Sequence, residues 1–217
     1  MFNLRRLTGY DPAATLAQPG RRLVAWLTGQ STYGPASLSP SQQALLRALA
    51  APGWTTLPAN FPYNQAALSA DYQEAPLLLA SGRNGAQFAA ALGSAAFGRA
   101  CARHLQPLLD ATAEQLVLLC GSCGLQLFYA ALPWLRVPPS LRIQLVALGP
   151  VCLQPRQHPQ VTVAVVQGRR DWLSRGFCWL PTAHRVPGGH LDYGARPEVV
   201  AVVRALLGFF AEPSHAA

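Results

Sequence analysis

The stretch Gln115-Leu116-Val117-Leu118-Leu119-Cys120-Gly121-Ser122-Cys123-Gly124-Leu125-Gln126-Leu127-Phe128-Tyr129-Ala130-Ala131-Leu132-Pro133-Trp134 contains no charged side chain. A run of about 20 such residues is long enough to be taken for a membrane span. The glycines in its middle and Pro133 near its end point elsewhere. They divide it into a strand, 115–120, a very tight turn, and a helix, 123–134, because glycine punctuates and proline stops regular structure. A strand without polar alternation is covered on both faces, as strands are in parallel sheets flanked by helices.

The same pattern recurs on both sides of this unit. Leu23–Leu27, Trp54–Leu57, Ile143–Leu148 and Val161–Val166 read as further buried strands, and His184–Val186 as a short one. Ser39-Pro40 is a helix start, with the helix running to about Ala51. A second helical stretch covers 86–109. A last helix, from Pro197 to about Ala211, places Val199, Val202, Val203, Leu206 and Phe210 on one stripe. Apolar strands alternating with helices predict an α/β fold with a mostly parallel central sheet flanked by helices. Neither an internal repeat nor a linker interrupts the chain, so residues 1–217 are expected to form a single domain. Residues 1–21 read as irregular. Residues 58–85, rich in Pro, Asn, Tyr and Gly, read as a loop or a lid over the site, with Leu77-Leu78-Leu79 either a short strand or a helix start.

Composition narrows the function classes. The chain has 217 residues, 51% of them hydrophobic and 12% charged, against a usual charged share of about 25%; that excludes a disordered chain. Nineteen Pro and eighteen Gly without a period exclude collagen-like architecture. The net charge is +8, yet all seventeen basic residues are Arg, clustered only as the doublets Arg5-Arg6, Arg21-Arg22 and Arg169-Arg170. With no basic run and no basic stretch interleaved with aromatics, a nucleic-acid partner is not expected. Five Cys provide one close pair, Cys120 and Cys123, and no second cluster, so no zinc site and no other metal site is expected. No apolar segment follows Arg5-Arg6, which argues against a signal peptide and makes the cytoplasm the expected compartment; no membrane association is expected.

In parallel sheets, reactive groups gather beyond the carboxyl ends of the strands. Three such ends carry one each: Ser122 after 115–120, Asp171 after 161–168, and His190 after the strand near Val186. A nucleophile on a tight strand-to-helix turn stands clear of the sheet, close to backbone N–H groups able to hold an oxyanion, and needs small residues two before and two after it. Ser122 has Cys120 and Gly124 in those places; Cys123 has Gly121 and Leu125. Ser122 fits better, and Cys123 stays open as the alternative. A serine hydroxyl needs a base oriented by an acid. His190 and Asp171 fill those places, with His184, inside its strand, the competing base.

The segments 116–127, 163–171 and 186–193, with the elements around them from about 22 to 211, resemble the α/β-hydrolase superfamily, whose nucleophile elbow, acid and histidine follow one another in this order. The resemblance implies a compact serine esterase or thioesterase without a cap domain, since the link from Leu148 to Val161 is short. It implies Ser122, Asp171 and His190 as catalytic residues. The loop Thr28-Gly29-Gln30-Ser31 is similar to the family's oxyanion loop, so Gln30 and Gly29, with Cys123, are the expected oxyanion and substrate-binding positions. The substrate is expected to be a small-molecule acyl ester or thioester, with no metal or organic cofactor. Eighteen residues lie between Asp171 and His190, little room for a helix. Rival readings are a Cys123-dependent hydrolase, an acyltransferase of the same fold, and a catalytically silent binding protein. Trp172, Trp179 and Tyr193 read either as an acyl pocket or as core.

Overall fold

The computed structural model describes residues 7–29, 36–68, 72 and 74–208. Its strands are β1 (Gly20–Thr28), β2 (Trp54–Asn60), β3 (Thr112–Gly121), β4 (Arg142–Leu148), β5 (Val161–Gly168) and β6 (Thr182–Val186). They form one six-stranded sheet in the order β2-β1-β3-β4-β5-β6. Every neighbouring pair is parallel. The helices are α1 (Pro40–Ala48), α2 (Leu77–Gly93), α3 (Ala95–Asp110), α4 (Gly124–Ala131), α5 (Trp172–Phe177) and α6 (Pro197–Gly208).

Successive strand residues point into two separate apolar layers, which is why the strands lack polar alternation. Leu23, Ala25 and Leu27, with Leu116, Leu118 and Cys120, pack into the layer that also holds Ala91 of α2, Phe97 of α3 and Leu125 of α4. Val24, Trp26, Val117 and Leu119 pack into the other, against Leu45 of α1 and Val199 and Val203 of α6. Each such buried aliphatic side chain contributes about 1.5–3 kcal/mol, so the two-sided burial of β1, β3 and β4 is the main force holding the strand ends in place. α1 starts as the sequence indicates: Ser39 Oγ accepts from the Gln42 N–H at 3.2 Å, and Gln42 Oε1 accepts from the Ser39 N–H at 2.8 Å.

Several boundaries differ from the sequence reading. Strand 23–27 extends back to Gly20, into the stretch read as irregular, and Trp54–Leu57 extends to Asn60. The helical stretch 86–109 is two helices, α2 and α3, parted at Ser94, whose φ of −122° leaves the helical range and whose Oγ caps α3 by accepting from the Phe97 N–H at 3.2 Å. Leu77-Leu78-Leu79 begins α2, so the second part of 58–85 is helix, not loop. Gly82, Asn84 and Gly85 mask it by lowering helix propensity. The connection from Asp171 to His190 does hold a helix, the six-residue α5, nucleated by Asp171 itself, whose Oδ1 accepts from the Ser174 N–H at 2.9 Å. The helix expected over 123–134 ends at Ala131, and Pro133 lies in a 3₁₀ turn, Leu132–Trp134. Phe210 and Ala211 of the last helix lie outside the described residues. Among the described residues, no helix is long and apolar enough to cross a membrane.

Candidate active site

The turn from β3 into α4 puts Ser122 at φ +50°, a left-handed backbone that a non-glycine residue rarely adopts. Its surroundings enforce it. The Ser122 carbonyl accepts from the Val151 N–H at 2.8 Å, which anchors the turn to the chain leaving β4. On the other side the helix start presses against β1: a Cβ added at Gly124 would lie 1.8 Å from the Leu27 carbonyl oxygen, so only glycine allows so close an approach. Strain at Ser122 is thus balanced by packing of the strand before it and the helix after it.

β5 and β6 supply the other two groups. Asp171, directly after β5, is 1% exposed. His190, after β6, places Nδ1 3.1 Å from both Asp171 carboxylate oxygens and Nε2 3.2 Å from Ser122 Oγ. A carboxylate only accepts hydrogen bonds, so the imidazole proton resides on Nδ1 and Nε2 is left as an acceptor facing the serine hydroxyl. Ser122, His190 and Asp171, the first two 68 positions apart in sequence, are thereby brought into one hydrogen-bonded line. His184, the competing base, lies within β6 in register with Val166.

A fourth group completes the arrangement. The Tyr193 hydroxyl donates to Asp171 Oδ2 at 2.6 Å and accepts from the Gly168 N–H at 2.7 Å. Asp171 thus receives Tyr193 O–H, the Ser174 N–H and His190 Nδ1–H. Burial alone would push its carboxyl up, but the hydrogen bonds from His190, Tyr193 and Ser174 outweigh that and hold it below the usual carboxylate range. Burial and the neighbouring carboxylate raise the Tyr193 phenol, which keeps it a donor. The loop bearing His190 is itself held: Asp192 Oδ2 accepts from the Gly189 N–H at 2.8 Å and pairs with Arg196 at 3.2 Å. Sequence reasoning left Tyr193 between pocket and core; its place three residues after His190 in the same loop was the available signal.

Cys123 follows the elbow and opens α4, with its backbone N–H in the first turn. Its side chain is 1% exposed, and burial pushes the thiol up to about 12. Gly29 directly follows β1 beside the elbow; a Cβ there would lie 2.7 Å from Cys123 Sγ and 2.2 Å from Asn84 Oδ1 of α2. Asn60 pins the same strand end, accepting from the Thr28 N–H at 2.9 Å. Gln30, the other expected donor, lies outside the described residues. Cys101, Cys120, Cys152 and Cys178 are buried free thiols. Trp172 and Trp179 are 71% and 74% exposed, so neither is core.

The sequence matches no protein-family model and no curated protein. Among solved structures, the chain is similar to a dienelactone hydrolase-like promiscuous phosphotriesterase from metagenomic libraries, at TM-score 0.57 and 14% identity over 92% of this chain and 95% of that one. It is also similar to esterase PE8, at TM-score 0.53 and 15% identity over 91% of this chain and 96% of that one. Both likenesses span nearly the whole sheet and its helical layers, and with the strand–elbow–helix turn at Ser122 they establish that the chain has the α/β-hydrolase fold.

Proposed function

We propose that this protein is a serine hydrolase that cleaves carboxylic esters, or thioesters, through an acyl-enzyme. The observation that carries the reading is the line of contacts from Ser122 Oγ to His190 Nε2, and from His190 Nδ1 to the buried Asp171, starting on a left-handed elbow at a helix start. Ser122 Oγ attacks the carbonyl carbon while its proton passes to His190 Nε2, and the carbonyl oxygen becomes an oxyanion facing the Cys123 N–H. The C–O or C–S bond to the leaving group then breaks, and His190 returns the proton to the departing alcohol or thiol. Water, deprotonated by His190, releases the acid and restores Ser122. Asp171 fixes the imidazole and balances its transient positive charge. The fold shared with an esterase and a phosphotriesterase is consistent with this chemistry.

A Cys123 nucleophile is less well supported, because a buried thiol pushed up to about 12 holds almost no thiolate at neutral pH. Labelling with a fluorophosphonate, followed by peptide mass spectrometry, tests the assignment. The adduct is expected on Ser122 and is expected to vanish, along with turnover of p-nitrophenyl acetate, in Ser122→Ala. Full activity in that variant, with iodoacetamide inactivation mapping to Cys123, would transfer the role to the thiol. No adduct and no turnover of any ester would leave a ligand-binding member of the fold.

A further inference from the structure

Between Glu114 and Asp192 the chain has a single acidic residue, Asp171, and it is buried. The stretch 169–191 around that residue and His190 otherwise shows solvent a surface of two kinds. Arg169, Arg170, Arg175 and Arg185 are exposed. Trp172, Trp179 and Leu191 are 71%, 74% and 76% exposed, and Phe177 is 45% exposed. Single exposed apolar residues are ordinary, but this many on one short segment marks a recognition surface. The two kinds are interleaved: the Arg175 guanidinium lies 4.5 Å from the centre of the Trp172 ring.

This rim adjoins the reacting groups. Trp172 directly follows Asp171, and Leu191 directly follows His190. The Phe177 carbonyl accepts from the Cys152 N–H at 2.7 Å, and the preceding residue, Val151, donates to the Ser122 carbonyl at 2.8 Å. The segment that carries these indole, phenyl and guanidinium groups is thus tied through backbone hydrogen bonds to the elbow, and it bears no carboxylate between Asp171 and Leu191; Asp192, next along, is paired with Arg196. Resting on the hydrolase reading above, we infer that this rim recognises the substrate as an anionic amphiphile: an ester with an apolar arm of several carbons that also bears a negative charge. The aromatic and aliphatic side chains take the arm out of water, and the arginines meet the charge.

The test compares kcat/KM for p-nitrophenyl acetate, p-nitrophenyl octanoate and the mono-p-nitrophenyl ester of octanedioic acid, each below its aggregation concentration. The octanoate is expected to exceed the acetate by about tenfold or more through apolar contact. The octanedioate ester is expected to exceed the octanoate by about fivefold at low salt, the advantage shrinking towards unity at high salt. The pair Trp172→Ala/Trp179→Ala should collapse the first ratio and Arg170→Gln/Arg175→Gln the second. Trp134→Ala, which removes a half-exposed tryptophan beside Arg99 at the far end of the α4 segment, should alter neither. In Ser122→Ala, where no turnover is needed, the monomethyl ester of octanedioic acid should shift tryptophan emission at about fivefold lower concentration than methyl octanoate. Equal response to the neutral and anionic esters at low salt, in turnover and in fluorescence, would overturn the inference, as would ratios that survive in the rim variants. If the acetate is hydrolysed while the ratios are flat, only this inference fails; if no ester is hydrolysed and Ser122 is not labelled, the hydrolase reading fails, and the fluorescence titration still decides the rim.

Discussion

At the scale of single residues, the site depends on how Asp171 is satisfied. Its carboxylate is buried, and a buried charge is tolerated only when hydrogen-bonded on every side; His190, Tyr193 and the Ser174 N–H supply this. Asp171→Asn keeps the shape but removes the acceptor that holds the proton on His190 Nδ1, so kcat should fall by about 10⁴-fold, read in a p-nitrophenyl acetate assay. Because folding lowers the Asp171 carboxyl from its ordinary value of about 4, its ionisation stabilises the protein fully above that value. That contribution is lost as pH falls from there through the lower folded value. Denaturant midpoints measured from pH 7 down to 3 should therefore drop more in the wild type than in Asp171→Asn. Tyr193→Phe removes one bond to a charged group, worth about 1.5–3 kcal/mol of stability, and leaves the Gly168 N–H without its partner. The freed carboxylate oxygen then concentrates more negative charge on the His190 side. With Asp171 held by one bond fewer, kcat should drop with KM nearly constant in the p-nitrophenyl acetate assay; loss of packing alone would lower stability and leave kcat in place.

At the scale of elements, each chemical group is placed by the end of a strand, and that is why so much of the site was legible. Runs such as Leu116–Cys120 and Leu145–Leu148 are apolar at every position because both faces are covered, so the strands and their ends could be read from composition alone. Gly124 announced the elbow for a steric reason that the structure displays. In Gly124→Ala the new methyl would meet the Leu27 carbonyl oxygen at 1.8 Å, against the Leu27–Thr28 backbone of β1 with no flexible side chain to yield. The substitution should cost about 3 kcal/mol or more, lowering the melting temperature by roughly 6–12 °C for a chain of this size, and should lower fluorophosphonate labelling of Ser122 by misplacing the elbow. What stayed illegible has equally physical grounds. The break at Ser94 falls in a run of Ala, Gly and Ser interrupted only by Leu92, where small side chains leave no stripe whose phase could shift. The start of α2 is hidden by Gly82, Asn84 and Gly85, which lower helix propensity in an exposed stretch; the helix buries side chains only further on, at Gln87 and Ala91. A buried tyrosine and a core phenylalanine give the same pattern, so the bond from Tyr193 to Asp171 required coordinates.

At the scale of the whole molecule, a histidine far from the proposed chemistry ties the chain's start to its helical layer. His104 of α3 is 2% exposed; its Nε2–H donates to the Leu7 carbonyl at 2.9 Å, and its ring meets Tyr10 and Phe61 edge-on. Burial, with Arg103 nearby, pulls its proton affinity below the usual value; the Leu7 bond and Asp11 oppose this and only partly offset it. The unfolded chain therefore takes up a proton at His104 that the folded chain resists, beginning near pH 6.5 on the way down. Stability should be level above about pH 7 and fall progressively as the pH drops below about 6.5, starting above the range in which Asp171 acts. His104→Gln retains an N–H donor for Leu7 but cannot titrate. Thermal unfolding followed from pH 8 to 5 should show the wild type losing stability on the way down while the variant stays nearly flat. Parallel curves for the two proteins would remove His104 as the cause. Because this histidine belongs to the layer opposite α1 and α6 and touches no member of the Ser122 line, p-nitrophenyl acetate turnover at pH 8 should be the same in both, which separates the acid response of the fold from that of the site.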